Sequence, residues 1–279
     1  MVTTIVLAIA VLGGMGLLFG FGLAYIARRL AVAEDERLQE ILNILPGADC
    51  GACGCAGCRA FARELLAGRK KPSECVAGGR EVAEKLAALL GTEAKEVKPK
   101  VAQVMCAGGR EECGERFKYV GLMTCEAANL VGGGFKACEY GCLGLGDCVR
   151  ACRFDAIKMG ENGLPIVDRE KCVGCGACVR ACPRGIIELI PADAKVVVRC
   201  SSKASPREVR AVCSVGCIAC RRCERACQHD AIHVDKETFL ARIDYEKCVA
   251  CGACVEACPR KVITMEEVEE RAEAVPSAA

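Results

Sequence analysis

Residues 3–27, TTIVLAIAVLGGMGLLFGFGLAYIA, carry no charge and are apolar at most positions. A helix needs about 20 such residues to cross a bilayer. Arg28 and Arg29 follow at once. A secretory signal places a basic segment before a shorter apolar core, and no basic residue precedes this run. The pattern predicts a transmembrane anchor over residues 1–29. By the positive-inside rule the two arginines, and everything after them, lie in the cytoplasm. Gly16 and Gly20 are spaced to let a second membrane helix approach closely; the alternative is the glycine usage common to membrane helices.

Past the anchor the hydrophobic period changes. In residues 31–46, AVAEDERLQEILNILP, the apolar Leu38, Ile41, Leu42 and Leu45 recur at helical spacing, and Pro46 and Gly47 stop the helix. Residues 59–74 read as a helix plus a turn. Residues 91–100, GTEAKEVKPK, are charged and read as a linker. Beyond it the apolar positions alternate in short runs. KVAQVMC ends at Cys106 and AKVVVRC ends at Cys200. AIKM and PIVD flank Glu161-Asn162-Gly163, and AIHV and ARID flank Asp235-Lys236-Glu237. These are hairpin signals. The tail, 266–279, is acidic and reads as a short frayed helix or disorder with a solvated face.

The strand signals recur with cysteine runs around them, so the chain repeats itself after residue 100. Copy one holds Cys138, Cys142, Cys148 and Cys152, then a hairpin, then CVGCGACVRACP from Cys172. Copy two holds Cys213, Cys217, Cys220, Cys223 and Cys227, then a hairpin, then CVACGACVEACP from Cys248. The chain has 26 cysteines in 279 residues, no Trp and only 7 Phe. With little bulky core material, something else must hold the small units together. Cysteines three residues apart are poorly placed to form disulfides with one another, so the spacing favours metal binding and a reducing compartment. The balance of 38 Lys and Arg against 36 Asp and Glu gives no argument for nucleic acid. No Gly-x-Gly-x-x-Gly follows a strand and no P-loop occurs, so no nucleotide or flavin is expected. His229 and His233 read as surface residues.

In a C-x2-C-x2-C-x3-C run the first three cysteines hold one [4Fe–4S] cube, and the fourth reaches the other cube. Copy two therefore predicts one set of Cys217, Cys220, Cys223 and Cys258, and another of Cys248, Cys251, Cys254 and Cys227. Copy one predicts Cys172, Cys175, Cys178 and Cys152. Its remaining set has Cys142, Cys148 and Cys182 but lacks a fourth ligand, because Leu145 stands in the place of Cys220. Cys138 is assigned there; Cys125 or a three-iron cluster is the alternative. Cys213-x3-Cys217-x2-Cys220 also matches the radical-SAM spacing, but Cys223 and Cys227 continue the ferredoxin pattern.

Upstream, Asp49-Cys50-Gly-Ala-Cys53-Gly-Cys55-Ala-Gly-Cys58 is followed by Cys75. Cys50, Cys53, Cys58 and Cys75 are assigned to a fifth cube and Cys55 is left out. A four-cysteine zinc site would favour two separated pairs. Cys55, Cys106, Cys113, Cys125, Cys200 and Cys213 remain. They read as buried thiols, with a sixth cluster from Cys106, Cys125, Cys200 and Cys213 as the alternative.

The order of parts resembles the B subunit of the Rnf complex over essentially the whole chain. The anchor precedes a DCGxCGxxGC-type domain, and ferredoxin runs follow. GCLGLGDC around Leu145 looks like that family's version of the first ferredoxin run. The DCG-type domain alone also resembles one of corrinoid iron–sulfur proteins. The resemblance implies an electron relay between soluble ferredoxin and the membrane subunits of an ion-translocating ferredoxin:NAD oxidoreductase. Two departures stand out. Cys55 replaces a frequent aromatic, and a second two-cluster module lengthens the chain. The expected class is α+β, with a single transmembrane helix (1–29), a small helical iron–sulfur domain (30–90), a linker (91–100), two tandem 2x[4Fe–4S] ferredoxin-like modules (101–192 and 193–265) and the tail. The expected partners are the other members of the complex and ferredoxin. Lys195, Arg199, Lys203, Arg207, Arg210, Arg221, Arg222 and Arg225 either steer ferredoxin or offset cluster charge. A freestanding membrane-anchored polyferredoxin serving a hydrogenase or a corrinoid-dependent system is the second functional reading.

Overall fold

The computed structural model describes residues 2–30, 36–93 and 98–266. Parts of three expected segments lie outside them: residues 31–35 of the amphipathic helix, 94–97 of the linker and 267–279 of the tail. The chain forms two units, Met1–Glu40 and Ile41–Ala279.

The first unit is dominated by α1 (Val2–Leu30), with Arg28 and Arg29 in its last turn. Ile5–Ile26 is, among the described residues, the one stretch of helix long and apolar enough to cross a membrane. Leu18 and Phe21 are 73% and 79% exposed. Aliphatic and aromatic surface bared to this extent marks a face that meets other apolar surface, protein or lipid.

The second unit begins within α2 (Glu36–Ile44). It continues through α3 (Cys58–Leu66), two 3-10 turns (Pro72–Glu74 and Val76–Gly78) and α4 (Gly79–Leu90). Helical spacing brings Ile41, Leu45, Phe61, Leu65 and Leu86 into burial. Gly91, at φ 64°, closes α4 in the left-handed conformation that favours glycine.

The rest is a twice-used arrangement of short strands and helical turns. In the first copy β1 (Lys100–Val104) precedes α5 (Cys125–Leu130) and α6 (Asp147–Arg150). The hairpin β2 (Ile157–Met159) and β3 (Pro165–Val167), the turn α7 (Ala177–Ala181) and β4 (Ile187–Pro191) follow. The second copy runs β5 (Val196–Val198), α8 (Pro206–Val212), α9 (Arg222–Ala226), β6 (Ile232–Val234), β7 (Ala241–Ile243), α10 (Ala253–Glu256) and β8 (Ile263–Met265). All four sheets are two-stranded and antiparallel: β1 with β4, β2 with β3, β5 with β8, and β6 with β7. The outer pair closes each copy, since its strands come from the two ends of the repeat.

Such two-stranded sheets are marginal alone. Here the cysteines complete their cores. Val101, Val104, Ile157, Ile186 and Ile187 cluster with Cys142, Cys148, Cys172 and Cys178. Val196, Val198, Ile232 and Ile263 cluster with Cys223 and Cys254. The two copies also touch. Ser214 N–H donates to the Glu112 carbonyl at 2.9 Å, and Ser201 Oγ donates to the Tyr140 carbonyl at 2.9 Å.

The cysteine loops lie tight against the strands. Gly174 sits at φ +67°, and a Cβ there would stand 2.3 Å from the Lys100 carbonyl oxygen. Gly185 has a similar φ of +59° but open space around it. Gly185→Ala is expected to cost about 1–2 kcal/mol for the left-handed backbone. Gly174→Ala should cost at least about 1 kcal/mol more, because strand and loop must separate. Denaturant midpoints of the two variants under anaerobic conditions check the difference.

Candidate iron–sulfur centres

Four of the five cysteine sets are built by a loop and one distant residue. Cys50, Cys53, Cys58 and Cys75 line one cavity beside Leu45 and Phe61. Asp49 Oδ1 accepts the Cys58 N–H at 2.5 Å, at the first turn of α3. Gly57 lies at φ +121°, and a Cβ there would meet Asp49 Oδ1 at 2.6 Å. The Asp and the last Gly of the motif are thus one device, in which the carboxylate binds the helix start and glycine leaves it room. The Cys55 thiol pairs with that of Cys53 and is not among the residues lining the cavity.

In the second copy, Cys248, Cys251, Cys254 and Cys227 line one cavity, with His229 at its wall. Cys223 lies among Cys217, Cys220 and Cys258. In the first copy, Cys178 lies among Cys172, Cys175 and Cys152.

The incomplete set lies beside a different cysteine from the one expected. Cys142, Cys148 and Cys182 share their cavity with Cys125, and Cys138 lines another one. The cause is an insertion. Residues 107–137 (31 residues) separate Cys106 from Cys138, whereas 201–212 (12 residues) separate Cys200 from Cys213. The added chain folds back so that α5 starts at Cys125, capped by Thr124, whose Oγ1 accepts the Ala127 N–H at 3.2 Å. Asp147 Oδ2 accepts the Glu126 N–H at 3.0 Å and so fixes that helix start beside Cys148. Arg150 bonds the Leu145 carbonyl at 3.1 Å and the Met123 carbonyl at 3.4 Å. The clue in the sequence was an unmatched cysteine inside an unmatched insertion.

Burial pushes the thiols up: Cys75, Cys148 and Cys254 to about 11, and Cys142, Cys178 and Cys223 to about 12. Repulsion from neighbouring thiols adds to it in each case. At neutral pH these six thiols are therefore protonated when the sets are empty. Iron takes thiolates, so loading releases protons and offsets the mutual repulsion. Backbone N–H groups point at sulfur: Ala102 N to Cys172 Sγ at 3.3 Å and Ala231 N to Cys227 Sγ at 3.4 Å. Such bonds tune a cluster's potential.

The cavities fit cubes better than single ions. Among the described residues no group of three or more His, Cys, Asp or Glu side chains is placed to hold one metal ion. Instead the thiols are spread around partly open cavities at Cys254, Cys148 and Cys58.

The sets are also neighbours. Arg180, in the turn between Cys178 and Cys182, donates to the Cys50 carbonyl at 3.2 Å. Arg153, next to Cys152, donates to the Ala48 and Asp49 carbonyls at 2.8 and 2.9 Å. Cys178 is close enough to Cys148 for their charges to repel.

Thiol sets shared between two halves of a small α/β repeat define an electron carrier of the 4Fe–4S ferredoxin class. Matches to known families agree. Residues 45–77 match an Fe-S cluster family, 165–188 a 4Fe-4S binding domain and 216–262 a 4Fe-4S dicluster domain. The chain is 42% identical over 265 residues to the B subunit of the ion-translocating oxidoreductase complex of Methanosarcina acetivorans, covering 95% of this chain and 100% of the relative. It is 43% identical over 242 residues to the B subunit of the proton-translocating ferredoxin:NAD(+) oxidoreductase complex of Clostridium ljungdahlii, covering 86% and 84%. It is also 43% identical over 247 residues to the B subunit of the Na(+)-translocating ferredoxin:NAD(+) oxidoreductase complex of Acetobacterium woodii, covering 88% and 74%. The chain belongs to the family of B subunits of Rnf-type ion-translocating oxidoreductase complexes.

Replacing Cys125 tests the completed set. Cys125→Ser should lower iron by about one to four atoms per chain, through a three-iron cluster or loss of the whole cube. Anaerobic iron counting with EPR of the oxidised and reduced protein reads this. Full iron with unchanged spectra would return the assignment to another cysteine.

Proposed function

We propose that this chain relays electrons between soluble ferredoxin and the membrane subunits of an ion-translocating ferredoxin:NAD oxidoreductase. In this reading α1 anchors the chain by a single pass and the rest faces the cytoplasm. Residues 30–90 hold one cube, and the modules 101–192 and 193–265 hold two each. When bound, [4Fe–4S] groups supply one-electron oxidation and reduction. The chain's own part is to present thiolates, aim N–H groups at sulfur and exclude water. The carrying observation is the run of adjacent thiol sets, from Cys50 near the anchor in sequence, through Cys175 and Cys148, toward the second module. Cys251 is exposed at the other extreme, which suits exchange with a soluble partner.

Charge supports docking at the second module. Arg207, Arg210, Arg221, Arg222 and Arg225 are exposed, and Arg225 Nη2 reaches the Cys220 carbonyl at 3.5 Å. An acidic ferredoxin would be steered to this surface, raising the on-rate at low salt. Arg221 pairs with Glu224 at 4.0 Å, the limit of ion-pair contact, with the side chains 46% and 31% exposed, so the pair neutralises little of the patch.

Two measurements test the reading. Tagged chain purified from native membranes should bring down flavin-bearing and multi-span partners; recovery of a lone cluster protein overturns it. In the Arg207→Glu, Arg210→Glu and Arg221→Glu triple variant, reduction by ferredoxin at low ionic strength should slow by about tenfold or more and lose its salt dependence. An unchanged salt dependence removes the docking site.

A further inference from the structure

The strongest unassigned feature lies where the two copies meet. One cavity there is lined by Cys106, Cys113, Cys138, Cys200 and Cys213. It is similar in size to the cysteine-lined cavities at Cys58, Cys254 and Cys148, and like them it is partly open. Buried thiols that only fill a core pack densely against their neighbours. Here five thiols gather instead on the wall of one cavity.

Four of these cysteines are related by the repeat. Cys106 corresponds to Cys200, each at the end of its copy's first strand run, and Cys138 corresponds to Cys213. Their surroundings correspond too. Cys106 Sγ accepts the Cys142 N–H at 3.4 Å, and Cys200 Sγ accepts the N–H of the equivalent Cys217 at 3.5 Å. Arg184 bonds the Cys138 and Gly141 carbonyls, both at 2.7 Å. The equivalent Arg260 bonds the Cys213 and Gly216 carbonyls. A Cβ on Gly141 would stand 3.6 Å from Cys138 Sγ, and one on Gly216 would stand 3.6 Å from Cys213 Sγ. Two equivalent pairs of thiols thus face one void across the junction.

The electrostatics suit an anionic occupant. Lys136 is only 7% exposed and donates to the carbonyl of Gly108, a residue of the cavity wall. Arg199 also lines the cavity. A buried ammonium needs compensating negative charge, which a thiolate-bound cluster brings. Cys113 pairs thiol to thiol with Cys213, too close for the two to face different corners of a cube.

The geometry points to a sixth [4Fe–4S] site held jointly by the two copies, with Cys106 and Cys138 from the first and Cys200 and Cys213 from the second. It differs from the other sites in that neither copy can build it alone. Its wall touches the Cys142 set on one side and the Cys217 set on the other, through the two N–H···S contacts. It therefore joins the thiol sets of both copies into one unbroken series. The inference rests on the reading of the other cysteine sets as cluster ligands.

The test uses the full chain, assembled anaerobically. Cys138→Ser/Cys213→Ser, one thiol from each copy, should hold about four fewer iron and four fewer sulfide per chain than the parent, with unchanged far-UV circular dichroism. Cys113→Ser should keep the parent's iron. Parental iron in the double variant overturns the site. So does a loss of about four iron in Cys113→Ser with none in Cys213→Ser alone. A parent with about 20 iron supports five sites and overturns the sixth, while a parent with almost no iron overturns the cluster reading itself.

Discussion

A cube of iron and sulfide needs four thiolates converging from different directions, and a short loop can present only three of them. The placement of the fourth thiol organises the whole second unit. In the small helical domain it is Cys75, carried back by α3 and its turn. In the second copy Cys227 and Cys258 exchange places between halves. In the sets proposed for the first copy Cys152 and Cys182 do the same, and Cys125 joins from an insertion. Each exchange fastens distant stretches of chain to one point. That fastening replaces the large apolar core that a chain without Trp cannot build.

The same constraint accounts for the local backbone. Loops that wrap a cavity must turn sharply and lie against strands, so glycine is required where another backbone group arrives first. Gly174 against the Lys100 carbonyl and Gly57 against Asp49 are two such places. Thiols buried at these points are hard to ionise, and four in one place repel one another. Ionising the empty sets is therefore costly, so metal loading, proton release and folding are thermodynamically linked. Strands of three to five residues suffice because the cysteine sets carry part of the cohesion.

The repeat also shows how such a module diverges without losing its site. Leu145 occupies the position of Cys220, and its loop no longer supplies a third ligand. The insertion restores the count from another direction, held by Asp147 and Arg150. Cys138, no longer needed there, faces the junction with Cys213, its counterpart.

Much of this was legible in the chain. The apolar run to Ile26, the three regular cysteine runs, and the hairpins around Asn162 and Lys236 follow from spacing and period, which are local properties. The class of chemistry follows as well, because closely spaced cysteines in this number suit iron and suit little else. The expectation for Cys138 did not hold, and the thiols at the junction of the copies were read as filling. Both concern residues far apart in sequence. Spacing along the chain says which thiols can share a loop. Only the folded chain decides where a 31-residue insertion returns, and which cysteines of two separate copies meet across their contact.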